Sequence, residues 1–599
     1  RAMAGQSAST GEGLAGIVAR IESARADLQR RLDRRKDTDT AALKSDIRTL
    51  DHELRTAYFN AVDRTHRLGY LLAGSVAAFM IALAGWVALL RQPAVPGEAS
   101  RESFESASAP RRFALASGGT FIVALAGLFV FAGRDPIELA MPGPIAAQTT
   151  EGPAAAPPPG VWPRFRGPGG RGVLPEATAP LTWSGPEDKN ILWRVEVPYK
   201  GTNSPIVWGD RIFMTGAWRD PESPVPGPPL KEVYCFDTTS GELIWQSPVM
   251  PPDSPDTAPQ VMEETGFAAP TATTDGKRVY ALFADGDLAA LDAATGREVW
   301  AKNIGVPENA YGHASSLTMA GDLLIVQYDQ SAEDPQRPSA LIAFEGPTGR
   351  EAWRTPRDVP ASWASPVVMP GADGEPIVVT STTPWLFAND ARTGAVVWKA
   401  RVLGGEIGPS PTWAASVVYA CNTGEELAAV RTGGAGDVTE SHVAWRVRPD
   451  SLPDVCTPVA NEELLFLIDT MSVLRCFDTD GGKQLWTHQL EGFYRASPVI
   501  AGDRLYVFDE DGLATVFAVA REPKVLAANR LFEVDPDVDI TERELVKATP
   551  AFSNGRIYIR TSKALYCIGA SPDDEPNDTT TDDTSDNPTD DDDDTNDDN

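Results

Sequence analysis

The sequence predicts an all-β fold, an eight-bladed β-propeller of four-stranded antiparallel blades. The first observation behind this prediction is a repeated phrase in which a glycine is followed four residues later by a tryptophan. The five clear copies are Gly241 with Trp245, Gly296 with Trp300, Gly349 with Trp353, Gly394 with Trp398 and Gly482 with Trp486. Weaker copies end at Trp193, Trp445 and Leu531-Phe532, so eight units recur at spacings of 41 to 55 residues. A repeat of this length built from short β-type runs indicates a radial β array.

A second mark at the start of each unit gives the same count. A small residue, mostly Ser or Thr and usually followed by Pro, opens a short apolar run in every unit. The eight marks are Ser204-Pro205, Ala269-Pro270, Ser315-Ser316, Ser365-Pro366, Ser410-Pro411, Thr457-Pro458, Ser497-Pro498 and Thr549-Pro550. Because the two marks are independent, their agreement strengthens the prediction of eight blades.

Two further apolar runs lie between the marks, as in residues 278–283 and 287–292, separated by Asp285-Gly286. Each unit therefore predicts four antiparallel strands joined by Gly- and Asp-containing turns. Residues 556–560 and 563–568 supply inner strands with no Trp strand after them, whereas 191–197 is a Trp strand with no inner strands before it. Pairing the two ends closes the ring and removes free strand edges.

The motif Ala-x-Asp-x-x-Thr-Gly-x-x-x-Trp is complete from Ala290 to Trp300 and from Ala388 to Trp398. It resembles the tryptophan-docking repeat of pyrroloquinoline-quinone-like propellers, a family that includes quinoprotein dehydrogenases and the non-enzymatic propeller of the bacterial outer-membrane assembly machinery. The opening segment 162–172, Trp-Pro-Arg-Phe-Arg-Gly-Pro-Gly-Gly-Arg-Gly, is similar to bacterial membrane-anchored quinone-binding-like repeat proteins. The resemblance covers roughly residues 162 to 570 and implies that each Trp lies between neighbouring blades. Ordinary core packing is the alternative for these indoles.

Two uncharged apolar stretches precede the propeller, residues 69–90 and 113–133, and each is long enough to cross a bilayer. A cleaved signal peptide is the alternative for one of them. The loop 91–112 between them contains four arginines, so we expect it in the cytoplasm and the propeller on the extracytoplasmic, periplasmic side of a multi-pass membrane protein. The Pro- and Ala-rich residues 134–160 predict a linker from the second span to the propeller domain, 161–570.

The two ends of the chain have different compositions. Residues 1–68 predict a helical arm, a hairpin or a coiled coil, because Leu14, Ile17 and Ile21 begin one apolar stripe. Oligomerisation through this arm and packing against the protein itself both fit. Residues 571–599 contain acidic but no basic side chains and no large hydrophobe, so they predict a disordered tail. The formal net charge of −31 argues against nucleic acid as a partner.

Sequence motifs for catalysis are scarce. None of the five cysteines, Cys235, Cys421, Cys456, Cys476 and Cys567, adjoins another, whereas quinoprotein alcohol dehydrogenases carry a vicinal Cys pair beside the quinone. The sequence contains no Cys-x-x-Cys-His haem motif and no Cys/His spacing typical of zinc. The cysteines are predicted to be small buried hydrophobes. We therefore expect no catalytic residues, no metal and no cofactor, with pyrroloquinoline quinone (PQQ) as the alternative.

One constellation remains, at the predicted mouth of the central channel. The residues two positions before the start marks are Thr202, Phe267, His313, Trp363, Gly408, Val455, Arg495 and Lys547. Among these we single out His313, Trp363, Arg495 and Lys547, since charge-assisted bonds and stacking could hold an anionic or planar ligand or a partner loop. The alternative is ordinary loop packing. Long insertions at 217–230, 246–266 and 329–338 are predicted on the same face, where binding usually resides.

The sequence thus predicts a membrane-anchored, non-enzymatic propeller that binds an envelope protein or a small anionic ligand. A PQQ-dependent dehydrogenase is the first alternative, and a carbohydrate-binding or sensory module is the second.

Overall fold

A computed structural model of the protein describes residues 160–570 except 176–178, 220–226, 256–258, 332–337, 536 and 539–541. The predicted helical arm, both predicted membrane spans, the loop between them, all of the linker but Gly160, and the acidic tail lie outside these residues. Within the described part of the chain, no helix combines the length and apolar character needed to cross a bilayer.

Eight antiparallel sheets form the blades, and the predicted fold is confirmed. We call the strands of each blade a to d, from the channel outward. Blade 1 consists of Ile206–Trp208, Arg211–Trp218, Leu230–Asp237 and Leu243–Pro248. Blade 2 consists of Thr273–Thr274, Arg278–Leu282, Asp287–Asp292 and Glu298–Asn303. Blade 3 consists of Thr318–Ala320, Leu323–Tyr328, Ser339–Glu345 and Glu351–Arg357, and blade 4 of Val367–Pro370, Pro376–Thr382, Trp385–Asp390 and Val396–Arg401.

The remaining blades follow the same order. Blade 5 consists of Thr412–Ala414, Val417–Ala420, Leu427–Arg431 and Val443–Val447, and blade 6 of Val459–Ala460, Leu464–Ile468, Val473–Asp478 and Gln484–Gln489. Blade 7 consists of Val499–Ala501, Arg504–Phe508, Leu513–Ala518 and Val525–Arg530. Blade 8 takes strands a to c from Ala551–Ser553, Arg556–Arg560 and Ala564–Ile568, and strand d from Ile191–Glu196. The register of this last pair places Trp193 opposite Cys567, so the predicted closure by a shared blade is confirmed.

The repeated turn between strands c and d explains the sequence phrase. In blade 2, the Asp292 carboxylate accepts hydrogen bonds from the backbone N–H groups of Ala294 and Thr295, which fixes the turn. Gly296 follows with φ 71°, a conformation that glycine adopts without strain. A Cβ atom on Gly296 would lie 2.6 Å from Cε3 of Trp245, because the indole of blade 1 lies against this turn.

The tryptophans of strand d contact the following blade. Their Nε1 atoms donate to backbone carbonyl oxygens over 2.8–3.2 Å, in the pairs Trp193–Thr238, Trp245–Ala293, Trp300–Gly346, Trp353–Ala391, Trp445–Thr479 and Trp486–Ala520. Each indole thus supplies both apolar area and one directed bond between blades. Trp398 differs: it is buried and pairs in parallel with Gly436 of an added strand, Gly436–Asp437, which leads into the short helix Thr439–His442.

Blade 7 departs from the repeat. The prediction that Leu531-Phe532 takes the place of the Trp in this blade is wrong. Ala527, which pairs with Val516, occupies the position that Trp has in the other blades. Trp183, from the segment before strand d of blade 8, is 3% exposed, packs in the same core and stacks on Phe508 with ring centroids 6.3 Å apart. An indole from outside the repeats therefore supplies large aromatic volume beside the small Ala527.

The start marks form a chain of hydrogen bonds around the ring. At each of seven steps the backbone N–H of one mark donates to the hydroxyl of the next over 2.9–3.1 Å, in the order Ser204, Thr271, Ser316, Ser365, Ser410, Thr457, Ser497 and Thr549. Blades 2 and 3 use Thr271 and Ser316 rather than the predicted Ala269 and Ser315. A hydroxyl is needed here because the N–H groups are buried and require an acceptor.

Residues 160–174, which we call the channel segment, run along the inner strands and contact all eight blades. It includes the 3-10 turn Pro168–Gly170 and the strand Val173–Leu174, which pairs in parallel with strand a of blade 7. Trp162 exchanges two backbone hydrogen bonds with Val207 of blade 1, and the Trp413 indole of blade 5 donates to the Gly169 carbonyl. Inner strands have an unpaired edge facing the channel, and the segment supplies partners for it.

Candidate functional site

The two faces of the propeller differ. The top face consists of the b–c and d–a connections, and the bottom face of the a–b and c–d turns. All three long insertions fall in top connections, between strands b and c of blades 1 and 3 and between blades 1 and 2, as predicted. Strand c of blade 8 ends at Ile568 on the bottom face, and Gly160 lies against Asn554 in a bottom turn. The chain therefore enters and leaves the described region at the bottom.

Arg495 and Lys547 lie on neighbouring top connections. The Arg495 guanidinium donates to the Glu510 carboxylate over 2.6 Å, and the Glu510 carbonyl accepts the N–H of Val546. Glu510 therefore joins the two loops that carry the predicted cations. Lys547 is half-buried and forms no ion pair with a described carboxylate.

Trp363 and His313 lie on another pair of adjacent connections, between blades 3 and 4 and between blades 2 and 3, but only Trp363 reaches solvent. Trp363 is half-buried, and its ring meets the edge of Tyr311 with centroids 4.9 Å apart. His313 is 3% exposed, its Nε2 lies 2.9 Å from the Gly305 carbonyl oxygen, and its ring packs edge-on against Tyr328. Burial lowers the pKa of His313 to about 4. Its place is thus in the packing beneath the mouth.

Tyr311, which the spacing argument missed, lies among residues of several blades. Burial and the carboxylates of Glu264, Glu406 and Asp454 raise the pKa of Tyr311, while Arg495 opposes them. These residues belong to four other top connections, so the phenol lies where the loops converge. The available signal was weak: Tyr311 is the only Phe, Tyr or Trp in residues 304–317.

Backbone contacts bring these loops together independently. The N–H of Met262 donates to the Ala310 carbonyl over 3.0 Å, which places the turn with Glu264 beside Tyr311. The N–H of Trp363 donates to the Ile407 carbonyl over 2.9 Å, next to Glu406. A Cβ on Gly408 would lie 2.2 Å from the Asp454 carbonyl oxygen, so these two loops touch. We call the d–a connections that carry Glu264, Tyr311, Trp363, Glu406, Asp454, Arg495 and Lys547 the mouth.

A buried ion cluster holds the loop that carries Met262. Lys231 is only 3% exposed. Its ammonium donates to the Asp285 carboxylate over 2.5 Å and also to the Asp287 carboxylate. The Ser254 hydroxyl donates to Asp287 as well, and the Asn303 amide donates to the other Asp287 oxygen over 2.8 Å. Burial raises the pKa of Asp285 and Lys231 opposes this. Breaking such a pair is costly because it leaves an uncompensated buried charge.

A second buried cluster holds the loop of Trp363. Arg357 pairs with Asp329 at 2.7 Å, and the Ser362 hydroxyl donates to the other oxygen of Asp329 over 2.9 Å. Gln327 donates to the same carboxylate. Burial raises the pKa of Asp329, and the first opposing influence is Arg357. The two clusters, which no motif in the sequence indicated, attach the loops of Met262 and Trp363 to the blades.

The cysteines play no visible part in the site. All five are buried and free, as predicted, and burial raises the pKa of Cys456 to about 12. The Cys456 thiol faces the Ala496 carbonyl and so packs between two top connections. Among the described residues, no three His, Cys, Asp or Glu side chains are grouped as metal ligands.

A separate open cavity of about 680 Å³ lies between blades 4 and 5 and is lined by Arg401, Leu403, Glu425, Glu440, Trp445 and Arg446, among others. None of the mouth residues lines it. Its arginines and glutamates are mixed, and Arg446 already pairs with Glu426. We assign it no role.

The chain is similar to several known proteins in sequence and in structure. The chain is 28% identical to a quinohemoprotein alcohol dehydrogenase from Comamonas testosteroni over 163 residues, which make up 25% of this chain and only 19% of that protein. The crystal structure of BamB from Moraxella catarrhalis aligns with a TM-score of 0.45 at 16% identity, over 63% of this chain and 97% of that one. The Comamonas dehydrogenase structure aligns with a TM-score of 0.49 at 14% identity, over 69% and 81%.

A family model described as outer membrane protein assembly factor BamB matches residues 160–311, 229–361, 337–455 and 434–524. Together these overlapping matches cover more than half of the chain. The protein therefore belongs to this family of PQQ-like propellers, the PQQ_2 family.

Proposed function

We propose that this protein is a non-enzymatic binding scaffold of the bacterial envelope. In this proposal the predicted spans 69–90 and 113–133 anchor it in the membrane, and the mouth receives a protein partner. The observation that carries the proposal is the mouth itself, where connections of several blades bring the exposed Arg495, the half-buried Lys547 and the half-buried Trp363 to one face. Buried ion clusters hold the loops of Met262 and Trp363. The family supports a protein partner in the envelope. Rigid loops that present side chains are suited to recognition, because little entropy is lost on binding.

The channel below the mouth supports a binding role over a catalytic one. The channel segment runs along the inner strands, and Arg166, fully buried within it, donates to carbonyl oxygens of Thr457, Pro458 and Pro498. The protein's own chain therefore fills part of the channel below the mouth.

The quinone-dependent dehydrogenase is the second candidate, and the match to a quinohemoprotein alcohol dehydrogenase favours it. PQQ is a planar tricarboxylate, for which Trp363 could supply stacking and Lys547 a charge. The surroundings do not fit this ligand: the carboxylates of Glu264, Glu406 and Asp454 act on Tyr311, beside Trp363, and raise its pKa, and Arg495 already pairs with Glu510. The adjacent cysteines of quinoprotein alcohol dehydrogenases are also absent from the sequence. We assign no reaction to the protein.

Site-specific photo-crosslinking in living cells tests the scaffold proposal. A photoreactive residue at position 547 should give a discrete crosslinked species, whereas one at Lys483, in an exposed bottom turn, should not. Replacing Trp363 by Ala should weaken partner binding about tenfold or more, because a tryptophan near the centre of an interface contributes about 2 kcal/mol or more. Crosslinks from position 483 alone would contradict the proposal. Quinone-dependent dye reduction by the purified protein would establish the second candidate instead.

A further inference from the structure

The connections around the mouth are strongly acidic. The basic residues of the d–a connections are Lys200, Arg448, Arg495, Arg543 and Lys547. The described acidic residues of the same connections are far more numerous: Asp253, Glu263, Glu264, Glu308, Asp358, Glu406, Asp450, Asp454, Glu491, Glu533, Asp535, Asp537, Glu542 and Glu544. One of the cations, Arg495, is already neutralised by Glu510 on a neighbouring b–c connection. The field over this face is therefore negative, which attracts cations and repels anions.

Large apolar side chains are exposed beside these carboxylates. Phe493 is 76% exposed, and Met262 and Val455 are each 45% exposed. An exposed acidic residue lies within two positions of each of them in the chain: Glu491 near Phe493, Glu264 near Met262, and Asp454 next to Val455. The pattern recurs on three different connections, so the acidic and apolar groups are interleaved across the face.

The exposed large hydrophobes are unevenly distributed over the surface of the propeller. Among the described residues, the large hydrophobes with high exposure fall into two places: the edge strands d, with Leu243, Ile244, Val299, Val396 and Val525, and the top face, with Trp218, Met250, Met262, Val455, Met471 and Phe493. The bottom turns contribute none of them. Exposed aromatic and Met side chains are typical anchors of protein interfaces.

We propose that the mouth docks a segment of a partner protein that is both basic and apolar. Lys or Arg side chains of that segment would lie against Glu264, Glu406 and Asp454 and against the rings of Tyr311 and Trp363, and its apolar side chains would cover Phe493, Val455 and Met262. Aromatic rings and carboxylates both attract a cation, and the apolar anchors contribute the buried area. This inference rests on the proposed scaffold function and specifies the chemistry of the partner.

The proposal replaces the anionic ligand that the sequence suggested. Two of the four residues that favoured an anion cannot contribute a free charge. His313 is buried, and Arg495 is paired with Glu510. An anion approaching Lys547 would pass the acidic connections, and like charges placed together across an interface disfavour binding. Charge complementarity thus selects a basic segment.

A synthetic amphipathic peptide of lysine and leucine is the probe, and its twin with glutamate in place of lysine is the control peptide. Fluorescence anisotropy with the purified full-length protein should show saturable binding of the lysine peptide that weakens steeply as NaCl rises from about 0.05 to about 0.5 M. The glutamate twin should not bind. Asp454→Asn combined with Phe493→Ser should weaken binding of the lysine peptide about tenfold.

The matched control variant is Asp503→Asn combined with Val525→Ser, which removes the same charge and an exposed apolar side chain on the bottom turn and edge strand of blade 7. It should bind the lysine peptide like the wild type. Equal loss in both variants would show non-specific attraction to an acidic protein and would overturn the proposal, as would preferential binding of the glutamate twin. Circular dichroism confirms that both variants fold.

The two proposals fail separately. If position 547 crosslinks a partner in cells but the lysine peptide does not bind at the mouth, the scaffold function stands and the basic-segment inference is wrong. If neither crosslinking nor peptide binding occurs at the mouth, both are wrong.

Discussion

The Arg166 guanidinium donates to the Pro458 carbonyl oxygen over 2.7 Å, and this bond fastens the channel segment to blade 6. The same side chain also reaches Thr457 and Pro498, so one residue near the start of the described chain joins blades 6 and 7. No described carboxylate pairs with Arg166. Backbone carbonyl dipoles take that place, because the inner edges of the blades present unpaired acceptors to the channel.

We expect Arg166→Met to destabilise the propeller by about 3 kcal/mol, because it leaves buried carbonyls without donors, and each costs about 1 to 3 kcal/mol. Denaturant unfolding followed by tryptophan fluorescence measures this. The control is Arg297→Met, at an exposed bottom turn, which should change the free energy of unfolding by less than about 0.5 kcal/mol. An unchanged midpoint for Arg166→Met would mean that the hydrogen bonds of the Arg166 guanidinium contribute nothing to stability.

Trp183→Ala should lower the free energy of unfolding by about 3 to 5 kcal/mol, because it removes a buried indole from the core around blade 7. The loss should match that of Trp300→Ala, a tryptophan of the repeat. Trp218→Ala, at a residue 46% exposed, is the control and should cost much less. If Trp183→Ala resembled the control, the indole would not compensate for Ala527.

His313 makes stability depend on pH. Its pKa in the folded state, about 4, lies below the unfolded value of 6.5, so the unfolded chain binds more protons between these values. Stability therefore falls as pH decreases from about 6.5 to about 4, by up to about 3 kcal/mol for this group. Asp509, whose pKa burial raises to about 6, acts in the opposite direction in the same range.

A comparison of the wild type with a His313 variant isolates the contribution of His313 to the pH dependence of stability. Unfolding free energies at pH 7 and pH 4.5 should fall less on acidification for His313→Gln than for the wild type. His442→Gln, on the short surface helix, should behave like the wild type. Parallel pH dependence in wild type and His313→Gln would contradict the assignment.

Deletion of residues 186–198 should expose the edge of strand c in blade 8 and make the protein aggregate, because an unpaired edge strand recruits other chains. Size-exclusion chromatography measures the oligomeric state. The control variant has a shortened connection between strands b and c of blade 1, residues 219–229. Its oligomeric state should be that of the wild type. A deletion variant with the elution and melting behaviour of the wild type would argue against closure by Ile191–Glu196.

Membrane topology is tested with intact spheroplasts. If loop 91–112 is cytoplasmic, added protease should degrade the propeller without lysis, because the positive-inside rule places the domain after the second span outside. A cytoplasmic marker protein should stay intact in the same sample. Protection of the propeller until lysis would reverse the predicted orientation.

The sequence was sufficient for the blades because their signals are local and repeated. An Asp, a Gly with positive φ and a Trp recur at fixed offsets, as at Asp292, Gly296 and Trp300, and each follows from the chemistry of one turn. Blade 7 escaped this logic. Its register is visible only from strand pairing, and Trp183 lies 344 positions before Ala527, so no periodicity connects them.

The candidate site was predicted in position but only partly in composition. Spacing located the mouth connections and selected Trp363, Arg495 and Lys547, but it also selected His313, which packing buries, and it missed Tyr311. The exposure and the partners of a side chain depend on neighbouring loops. Arg495, for example, is paired by Glu510 from another connection. The buried clusters around Asp287 and Asp329 were equally invisible, because their members come from separate strands.

The sequence by itself determined the all-β propeller, the number of blades and the closure by Ile191–Glu196, because hydrophobic period and turn chemistry are short-range properties of the chain. The tertiary structure alone decided how the channel is filled and which charges meet at the mouth. Those outcomes depend on contacts between residues hundreds of positions apart, such as Arg166 with Pro458, and the strength of a charge depends on its burial and on its partners.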